Sequence, residues 1–234
     1  MVSRGHPRPC RRARTTAILR PILEFRHLAI DGPPGVGKST LADRLGTRLD
    51  AAVVLDETDN PFLADAVAGR AGAALQAQLF SLLARHRQQE ALRQSDLFSQ
   101  TTVCDYLFDR DKIYAYLVLD DNELFIYQRL YDLLVRDVAP PDLVIYLQAP
   151  TEGVWSRLRQ RARHDPEVAL PEERFLRELN DALNHFFFHY TATPLLVVET
   201  SHLDLAWDDA AVDDLLRQIA GLSGGTRYFV PRTT

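Results

Sequence analysis

Cysteine is scarce in this chain, and long apolar runs are absent from it. Only two cysteines, Cys10 and Cys104, occur among the 234 residues, so neither a disulfide framework nor a cysteine-based metal site is expected. The longest apolar runs, such as residues 143–147 and 195–198, are far shorter than the roughly 20 residues that a transmembrane helix needs. These absences predict a soluble, cytoplasmic protein without a membrane partner.

Charge is distributed unevenly along the chain. Acidic residues outnumber basic ones by 32 to 27, yet residues 1–23 contain six arginines and no acid. An acidic protein body argues against binding to a nucleic-acid polymer, because such binding relies on lysine and arginine to neutralise phosphates. We predict a basic, disordered extension at residues 1–24, one compact domain at 25–220 and a flexible tail at 221–234.

Short apolar runs alternate with helix-sized amphipathic segments from about residue 25 onward. Leu41, Leu45 and Leu49 recur every four residues, so one stripe of the first helix should face a sheet. The alternation is typical of an α/β fold, in which a mainly parallel sheet carries helices on both faces. Five strands are expected, at residues 28–30, 52–55, 101–104, 143–147 and 195–198.

A phosphate-binding loop follows the first predicted strand. Residues 32–39 match the pattern G-x-x-x-x-G-K-[ST] and directly precede the first predicted helix. Glycines let backbone N–H groups turn inward around phosphates, Lys38 reaches the outer oxygens, and Ser39 can ligate Mg²⁺. The nucleotide triphosphate is expected to contact nine residues: Gly32, Pro33, Pro34, Gly35, Val36, Gly37, Lys38, Ser39 and Thr40.

This loop identifies a phosphate donor and leaves the acceptor open. The N-K-x-D motif that reads guanine in GTPases does not occur in the sequence. The single predicted domain is also small for a motor ATPase. A small kinase is therefore favoured.

Four further motifs follow the loop in order. They are LDETDNPFL at 55–63, LQAQLF at 75–80 with an arginine at 85, CDYLFD at 104–109 and PDLVIYL at 141–147. From about residue 25 to 216 the chain thereby resembles bacterial deoxyadenosine/deoxyguanosine kinases. The resemblance implies a P-loop kinase fold with an arginine-rich lid and a homodimer. It also implies ATP- and Mg²⁺-dependent phosphorylation of the 5'-hydroxyl of deoxyadenosine, deoxyguanosine or deoxycytidine, in nucleotide salvage.

The same resemblance implies a catalytic carboxylate at the end of the second strand. The reaction needs a base near the acceptor hydroxyl to receive its proton, and the family uses a glutamate there. Asp56 fits an ungapped match anchored on Asn60, whereas Glu57 has the expected side chain. Both are kept as candidates, with Glu57 preferred.

Recognition of the nucleobase is implied for a glutamine on the third helix, because an amide can both donate and accept along the edge of a purine or cytosine. Gln78 lies seven residues before Arg85, which matches the family spacing, while Gln76 would face differently on the helix. Arg85 is expected to assist Gln78. Similarity also suggests that Tyr114 stacks on the base, although it could equally pack in the core, and that Asp111 contributes to the polar edge.

An arginine-rich segment follows the fourth predicted strand. Arg157 and Arg161 are i,i+4 neighbours and present two cations on one helical face. With Arg163 they resemble the family's lid, which closes on the triphosphate. Glu167 would correspond to a lid glutamate that holds the sugar 3'-hydroxyl.

The chain departs from its relatives at two positions. Many relatives carry an acid-Arg-Ser motif after the third strand; here the acid is Asp105, which is expected to join Ser39 near Mg²⁺, and Tyr106 replaces the arginine. Val67 stands where relatives have a tyrosine that binds the 3'-hydroxyl. Two alternatives therefore stay open: a kinase for a nucleoside monophosphate or another small metabolite, and a nucleotide-binding regulatory protein that has lost catalysis.

Overall fold

A computed structural model of the chain describes residues 24–56, 59–95, 101–165, 170–201 and 209–231. The strands are β1 (His27–Asp31), β2 (Ala52–Val54), β3 (Thr102–Cys104), β4 (Leu143–Gln148), β5 (Leu195–Glu199) and β6 (Thr226–Phe229). They form one parallel sheet in the order β2-β3-β1-β4-β5-β6. The helices are α1 (Lys38–Leu49), α2 (Leu63–Val67), α3 (Ala73–Ser95), α4 (Arg110–Val118), α5 (Asp121–Leu134), α6 (Thr151–His164), α7 (Glu173–Phe188) and α8 (Asp209–Ala220).

Helices cover both faces of the sheet, as the sequence predicted. Leu143, Ile145 and Leu147 of β4 share a buried cluster with residues of α1, α6 and α8. Val144 and Tyr146, which point to the opposite face, pack with residues of α4 and α7. Burial on both faces explains why β4 reads as an unbroken apolar run, since neither face is left for water.

The strand count of five was one too low. Residues 226–229 form β6, which pairs with β5 through the registers Leu195–Thr226 and Val198–Phe229, although the sequence analysis assigned them to the C-terminal tail. The alternating half-buried and exposed pattern of β6 fits an edge strand with one solvent face. The five expected strands occur to within one residue at each end. Among the described residues, no helix is both long and apolar enough to cross a membrane.

The register of the sheet brings three acidic positions to one edge. Cys104 of β3 pairs with Ala29 of β1 on one side and with Val54 of β2 on the other. Just beyond these positions lie three acids: Asp31, which ends β1, Asp56 and Asp105. Because all strands are parallel, their carboxyl ends meet at one edge, which is where α/β folds bind ligands.

Candidate active site

The glycine-rich loop crosses the carboxyl edge of the sheet between β1 and α1. At Gly32 φ is +149°, and a Cβ atom there would lie 2.5 Å from the carbonyl oxygen of Leu147, so only glycine fits. The Lys38 ammonium donates hydrogen bonds to the carbonyl oxygens of Gly32 at 2.9 Å and Pro33 at 3.1 Å. Burial, together with the nearby charge of Arg110, lowers the pKa of Lys38 to about 8. The loop is therefore shaped for phosphates, whose negative charge would favour the ammonium form.

Asp105 connects this loop to β2. The Ser39 hydroxyl donates to Oδ2 of Asp105 at 2.6 Å, and the backbone N–H of Asp56 donates to Oδ1 at 2.6 Å. A serine hydroxyl beside a carboxylate offers the hard oxygen ligands that Mg²⁺ prefers, and Mg²⁺ takes its remaining ligands from water and substrate phosphates. The described residues hold no group of three or more His, Cys, Asp or Glu that could bind a metal alone. Ser39 and Asp105 therefore fit a metal that arrives with a nucleotide.

Asp56 lies in an ion-pair network with α3 and α4. Arg85 donates from Nε to Oδ1 of Asp56 at 2.8 Å and from Nη2 to Oδ2 at 2.9 Å. The same guanidinium donates from Nη1 to Asp111, whose side chain is 1% exposed. A planar guanidinium suits this arrangement because it can bind one carboxylate with two donors and still serve another. The network fixes the relative positions of the end of β2, α3 and the start of α4.

The pKa values of the two carboxyls move in opposite directions. Burial opposes ionisation of Asp56, but the hydrogen bonds and charge of Arg85, with the charges of Arg110 and Lys38, outweigh it and lower the pKa of Asp56. Burial dominates at Asp111 and raises its pKa against the pull of Arg85. Asp56 is therefore held as an anion at neutral pH, while Asp111 is the carboxyl closer to taking up a proton.

Arg110 completes the network, and the sequence analysis missed it. Its Nη2 donates to Oδ2 of Asp56 at 2.6 Å, and its Nη1 lies 3.6 Å from Oδ1 of Asp31. Asp31 is fully buried and accepts the backbone N–H groups of Gly32 at 2.6 Å and Leu107 at 3.0 Å. One signal was available for Asp31, because an acid that ends a buried strand requires partners. No sequence pattern indicated that Arg110 would point inward.

Gln78 and Arg85 lie on the same side of α3, seven residues and about two turns apart. Gln78 is half-buried, whereas Gln76 is exposed, which favours Gln78 as the predicted amide. Asn60 holds the segment after β2 against this helix, since its amide donates to the carbonyl oxygen of Ala77 at 2.9 Å and to Ser81 Oγ at 3.0 Å. The predicted nucleoside side of the site is thus built on α3 and on the segment that Asn60 holds against it.

Tyr114 packs inside the protein as well as lining this region. Its ring lies 5.6 Å from the Arg110 guanidinium and 6.4 Å from the ring of Phe175. Tyr106, which replaces the arginine of the acid-Arg-Ser motif, is 1% exposed and accepts a hydrogen bond from Gln89 at 3.0 Å. Both rings help to hold the arginines, because the Arg85 guanidinium lies 5.8 Å from the centre of the Tyr106 ring.

The predicted lid arginines do not act alike in this structure. Arg157 donates to the carbonyl oxygen of Thr200 at 2.5 Å and to its hydroxyl at 3.4 Å, which ties α6 to the end of β5. Arg161 and Arg163 are exposed in the last turn of α6. Thr40 is exposed at the start of α1, and Val67 is 76% exposed at the end of α2.

Two of the predicted residues, Glu57 and Glu167, lie outside the described residues. The structure consequently gives a position for Asp56 and none for its rival. Short contacts or mutual charge effects join six of the other predicted residues: Lys38, Ser39, Asp56, Arg85, Asp105 and Asp111.

Comparison with known proteins supports the resemblance seen in the sequence. The model of the deoxynucleoside kinase family matches residues 28–222. The chain is 31% identical over 140 residues to a deoxyguanosine kinase of Bacillus subtilis (strain 168), covering 58% of this chain and 67% of that protein. It is 25% identical over 205 residues to a deoxyadenosine/deoxycytidine kinase of the same organism, covering 83% of this chain and 92% of that protein.

Solved structures agree on the fold. A deoxyadenosine kinase from M. mycoides with bound dATP superposes with a TM-score of 0.67 and 22% sequence identity, covering 82% of this chain and 97% of that one. The same enzyme with the products dCMP and a flexible dCDP gives a TM-score of 0.69. Because the family model matches most of the chain and includes the phosphate loop and the four motifs that follow it, this chain belongs to the deoxynucleoside kinase family.

Proposed function

We propose that this kinase transfers the γ-phosphate of ATP, with Mg²⁺, to the 5'-hydroxyl of deoxyadenosine, deoxyguanosine or deoxycytidine. The observation that supports it best is one continuous set of contacts from the phosphate loop to the nucleoside side. Ser39 meets Asp105, Asp105 holds the backbone of Asp56, and Arg85 joins Asp56 to Asp111. These contacts support the proposal because they bring the groups proposed to bind donor and acceptor to one edge of the sheet, and an in-line phosphoryl transfer needs both there.

In this mechanism the loop and Lys38 hold the triphosphate, and Ser39 with Asp105 would hold Mg²⁺, which neutralises phosphate charge when it is bound. Asp56, or its neighbour Glu57, accepts the proton of the 5'-hydroxyl. The arginine partners of Asp56 keep its carboxylate anionic. Its Oδ1 atom accepts only one hydrogen bond from the described residues, so a lone pair on Oδ1 can accept that proton. The lid arginines of α6 lend positive charge to the migrating phosphoryl group.

The charge of the acceptor side favours a nucleoside over a nucleoside monophosphate. Arg85 and Arg110 are already bound to carboxylates, and a second phosphate would need cations in excess. Among the described residues this region instead has more acids than bases: Asp31, Asp56, Asp105 and Asp111 against Lys38, Arg85 and Arg110. A neutral acceptor meets no repulsion there.

The choice of base follows from Asp111. Its Oδ2 atom is buried and meets no donor in good hydrogen-bond geometry among the described residues, although the Tyr127 hydroxyl lies near enough to interact with this carboxyl. A buried carboxylate oxygen without a well-formed hydrogen bond is costly. An exocyclic amino group would satisfy it, and adenine, cytosine and guanine each carry one. With Gln78 offering both a donor and an acceptor, these three bases are preferred over thymine.

A steady-state assay with ATP, Mg²⁺ and each of the four deoxynucleosides tests the proposal, with the four matching monophosphates assayed in parallel. We expect turnover of one or more of the three amino-bearing nucleosides, no turnover of monophosphates, and loss of activity in Lys38→Ala. Separate Asp56→Asn and Glu57→Gln variants identify the base. Turnover of monophosphates alone would replace the proposal with the first alternative, and ATP binding without any product would indicate a regulatory protein.

We further propose that the enzyme works as a homodimer in the cytoplasm. On α5, Phe125, Ile126 and Leu133 are 57%, 52% and 61% exposed, while Tyr127 and Tyr131 of the same helix are buried against the body of the protein. An apolar face of this kind on one helix favours burial against a second copy. Sedimentation of the wild type beside a Phe125→Glu variant tests it, since only the wild type should sediment as a dimer.

A further inference from the structure

Tyr106, which directly follows Asp105, brings an aromatic ring rather than a charge to this side of the site. The Tyr106 ring is buried and its hydroxyl is taken up by Gln89, so it cannot supply a positive charge. Arg110, four residues further on, opens α4 and is 4% exposed. Its guanidinium lies between Asp31, the last residue of β1, and Asp56, beyond the end of β2.

The hydrogen bonds of Asp56 show what this guanidinium does. Oδ2 of Asp56 accepts from both Arg85 and Arg110, at 2.9 Å and 2.6 Å, whereas Oδ1 accepts from Arg85 alone, at 2.8 Å. A carboxylate oxygen has two lone pairs, so Oδ2 is saturated and Oδ1 retains one. Arg110 therefore decides which oxygen of Asp56 is open to a further hydrogen bond.

Burial and a second contact hold Arg110 itself in place. Its position between two carboxylates compensates the cost of burying a guanidinium, and it lies 5.6 Å from the Tyr114 ring. The neighbouring cation of α4, Lys112, has no part in this arrangement, since it pairs with Asp109 at 3.2 Å and is 38% exposed. The two residues thus offer a matched comparison on one helix.

From this geometry we infer that Arg110 is a positioning residue for phosphoryl transfer, which saturates Oδ2 of Asp56 so that Oδ1 faces the acceptor hydroxyl. The inference rests on the proposed function and extends it, because it gives Arg110 a role that the proposed function does not assign. Arg110 acts through Asp56. Its removal should consequently slow the chemical step and leave donor binding intact.

Steady-state kinetics of Arg110→Gln, Arg110→Lys and Lys112→Gln test the inference. Misplacing a reacting group by about 1 Å can cost roughly 100-fold, so we expect kcat of Arg110→Gln to fall by about that factor. The KM for ATP should stay within about threefold of the wild-type value, because uniform binding of the donor is unaffected. Arg110→Lys, which keeps one donor for Oδ2, should recover to within about tenfold of wild type, and Lys112→Gln should match the wild type.

A double-mutant cycle with Asp56→Asn distinguishes positioning from a general structural effect. If Arg110 acts through Asp56, Arg110→Gln should cost less than about threefold in the Asp56→Asn background, since coupled residues are not additive. Equal losses in both backgrounds, or a loss confined to the KM for ATP, would overturn the inference. So would full activity of Asp56→Asn. If Arg110→Gln shows no cooperative thermal unfolding, Arg110→Lys replaces it in the double-mutant cycle with Asp56→Asn, and its loss should likewise be smaller in the Asp56→Asn background. A wild type that phosphorylates no deoxynucleoside would refute the proposed function before any variant is compared.

Discussion

Arg85 is the residue whose loss should most clearly reveal the electrostatics of the site. Its side chain is 11% exposed, and its partners Asp56 and Asp111 are 19% and 1% exposed. Arg85→Met keeps much of the side-chain volume and leaves both carboxylates without their shared cation. Removing one partner of a buried ion pair costs about 3–5 kcal/mol, so we expect the free energy of unfolding to fall by that amount at pH 8.

The loss in the free energy of unfolding should be smaller at lower pH, because of the pKa of Asp111. Burial already raises the pKa of Asp111, and Arg85 is the largest influence that lowers it. Without Arg85 the pKa of Asp111 in the folded protein rises further above its value in the unfolded chain. A carboxyl of this kind binds its proton more tightly in the folded state, so it stabilises the fold at low pH, and this stabilisation is lost as the pH rises through the folded-state pKa. In the pH range where Asp111 is protonated in the folded variant but ionised in the folded wild type, the deficit should shrink by up to about 1.4 kcal/mol for each pH unit lowered.

Urea denaturation of the wild type, Arg85→Met and Arg87→Met at pH 8 and pH 6 measures both effects. Arg87 is exposed on the same helix, so its variant should lie within about 0.5 kcal/mol of wild type. A deficit for Arg85→Met below 1 kcal/mol, or one equal at the two pH values, would refute the assigned role of the pair with Asp111.

Three further changes have defined outcomes. In Gly46→Ala the new methyl group would overlap Cγ2 of Val53. We expect the free energy of unfolding, measured by urea denaturation, to fall by about 1–2 kcal/mol, because overpacking outweighs the better helix propensity of alanine. Adding Val53→Ala should relieve the overlap, so the double variant should be more stable than the sum of the two single losses predicts. Asp105→Asn weakens the partner of Ser39, so the Mg²⁺ concentration for half-maximal activity should rise by roughly tenfold; an unchanged Mg²⁺ dependence would contradict this. Because the pKa of Lys38 is lowered to about 8 and a triphosphate raises it, calorimetry should show ATP binding roughly tenfold weaker at pH 9 than at pH 7, and pH-independent binding would argue against that shift.

Most of the fold could be predicted because each of the five expected strands is short, largely apolar and bounded by polar residues or glycine and proline. The run at 143–147 is buried on both faces, and its pattern therefore indicated a central parallel strand. β6 was missed because it pairs with β5 alone among the described strands, and because the alternating exposure of an edge strand beside Gly224 and Gly225 resembles that of a loop.

The site could be predicted only where a local pattern carries the chemistry. Lys38 and Ser39 follow from the phosphate-loop pattern, whereas Gln78 was chosen over Gln76 by its spacing to Arg85 and by the family resemblance. Arg110 could not be found in this way, because its role depends on contacts with Asp31 and Asp56, which lie 79 and 54 positions away in the sequence. Pairings of that kind are created by the register of the sheet and by the direction in which α4 begins.

The insertion of β3 between β1 and β2 has a consequence for how the protein is made. A chain emerging from the ribosome presents β1, the phosphate loop, α1 and β2 early, yet β1 and β2 share no hydrogen bonds and each pairs with β3. Until residues 102–105 have emerged, neither strand has its partner on that side and Ser39 lacks the carboxylate that anchors it. We therefore expect ATP to add little stability to a nascent chain that ends before residue 102, and to stabilise the amino-terminal half once β3 has joined the sheet.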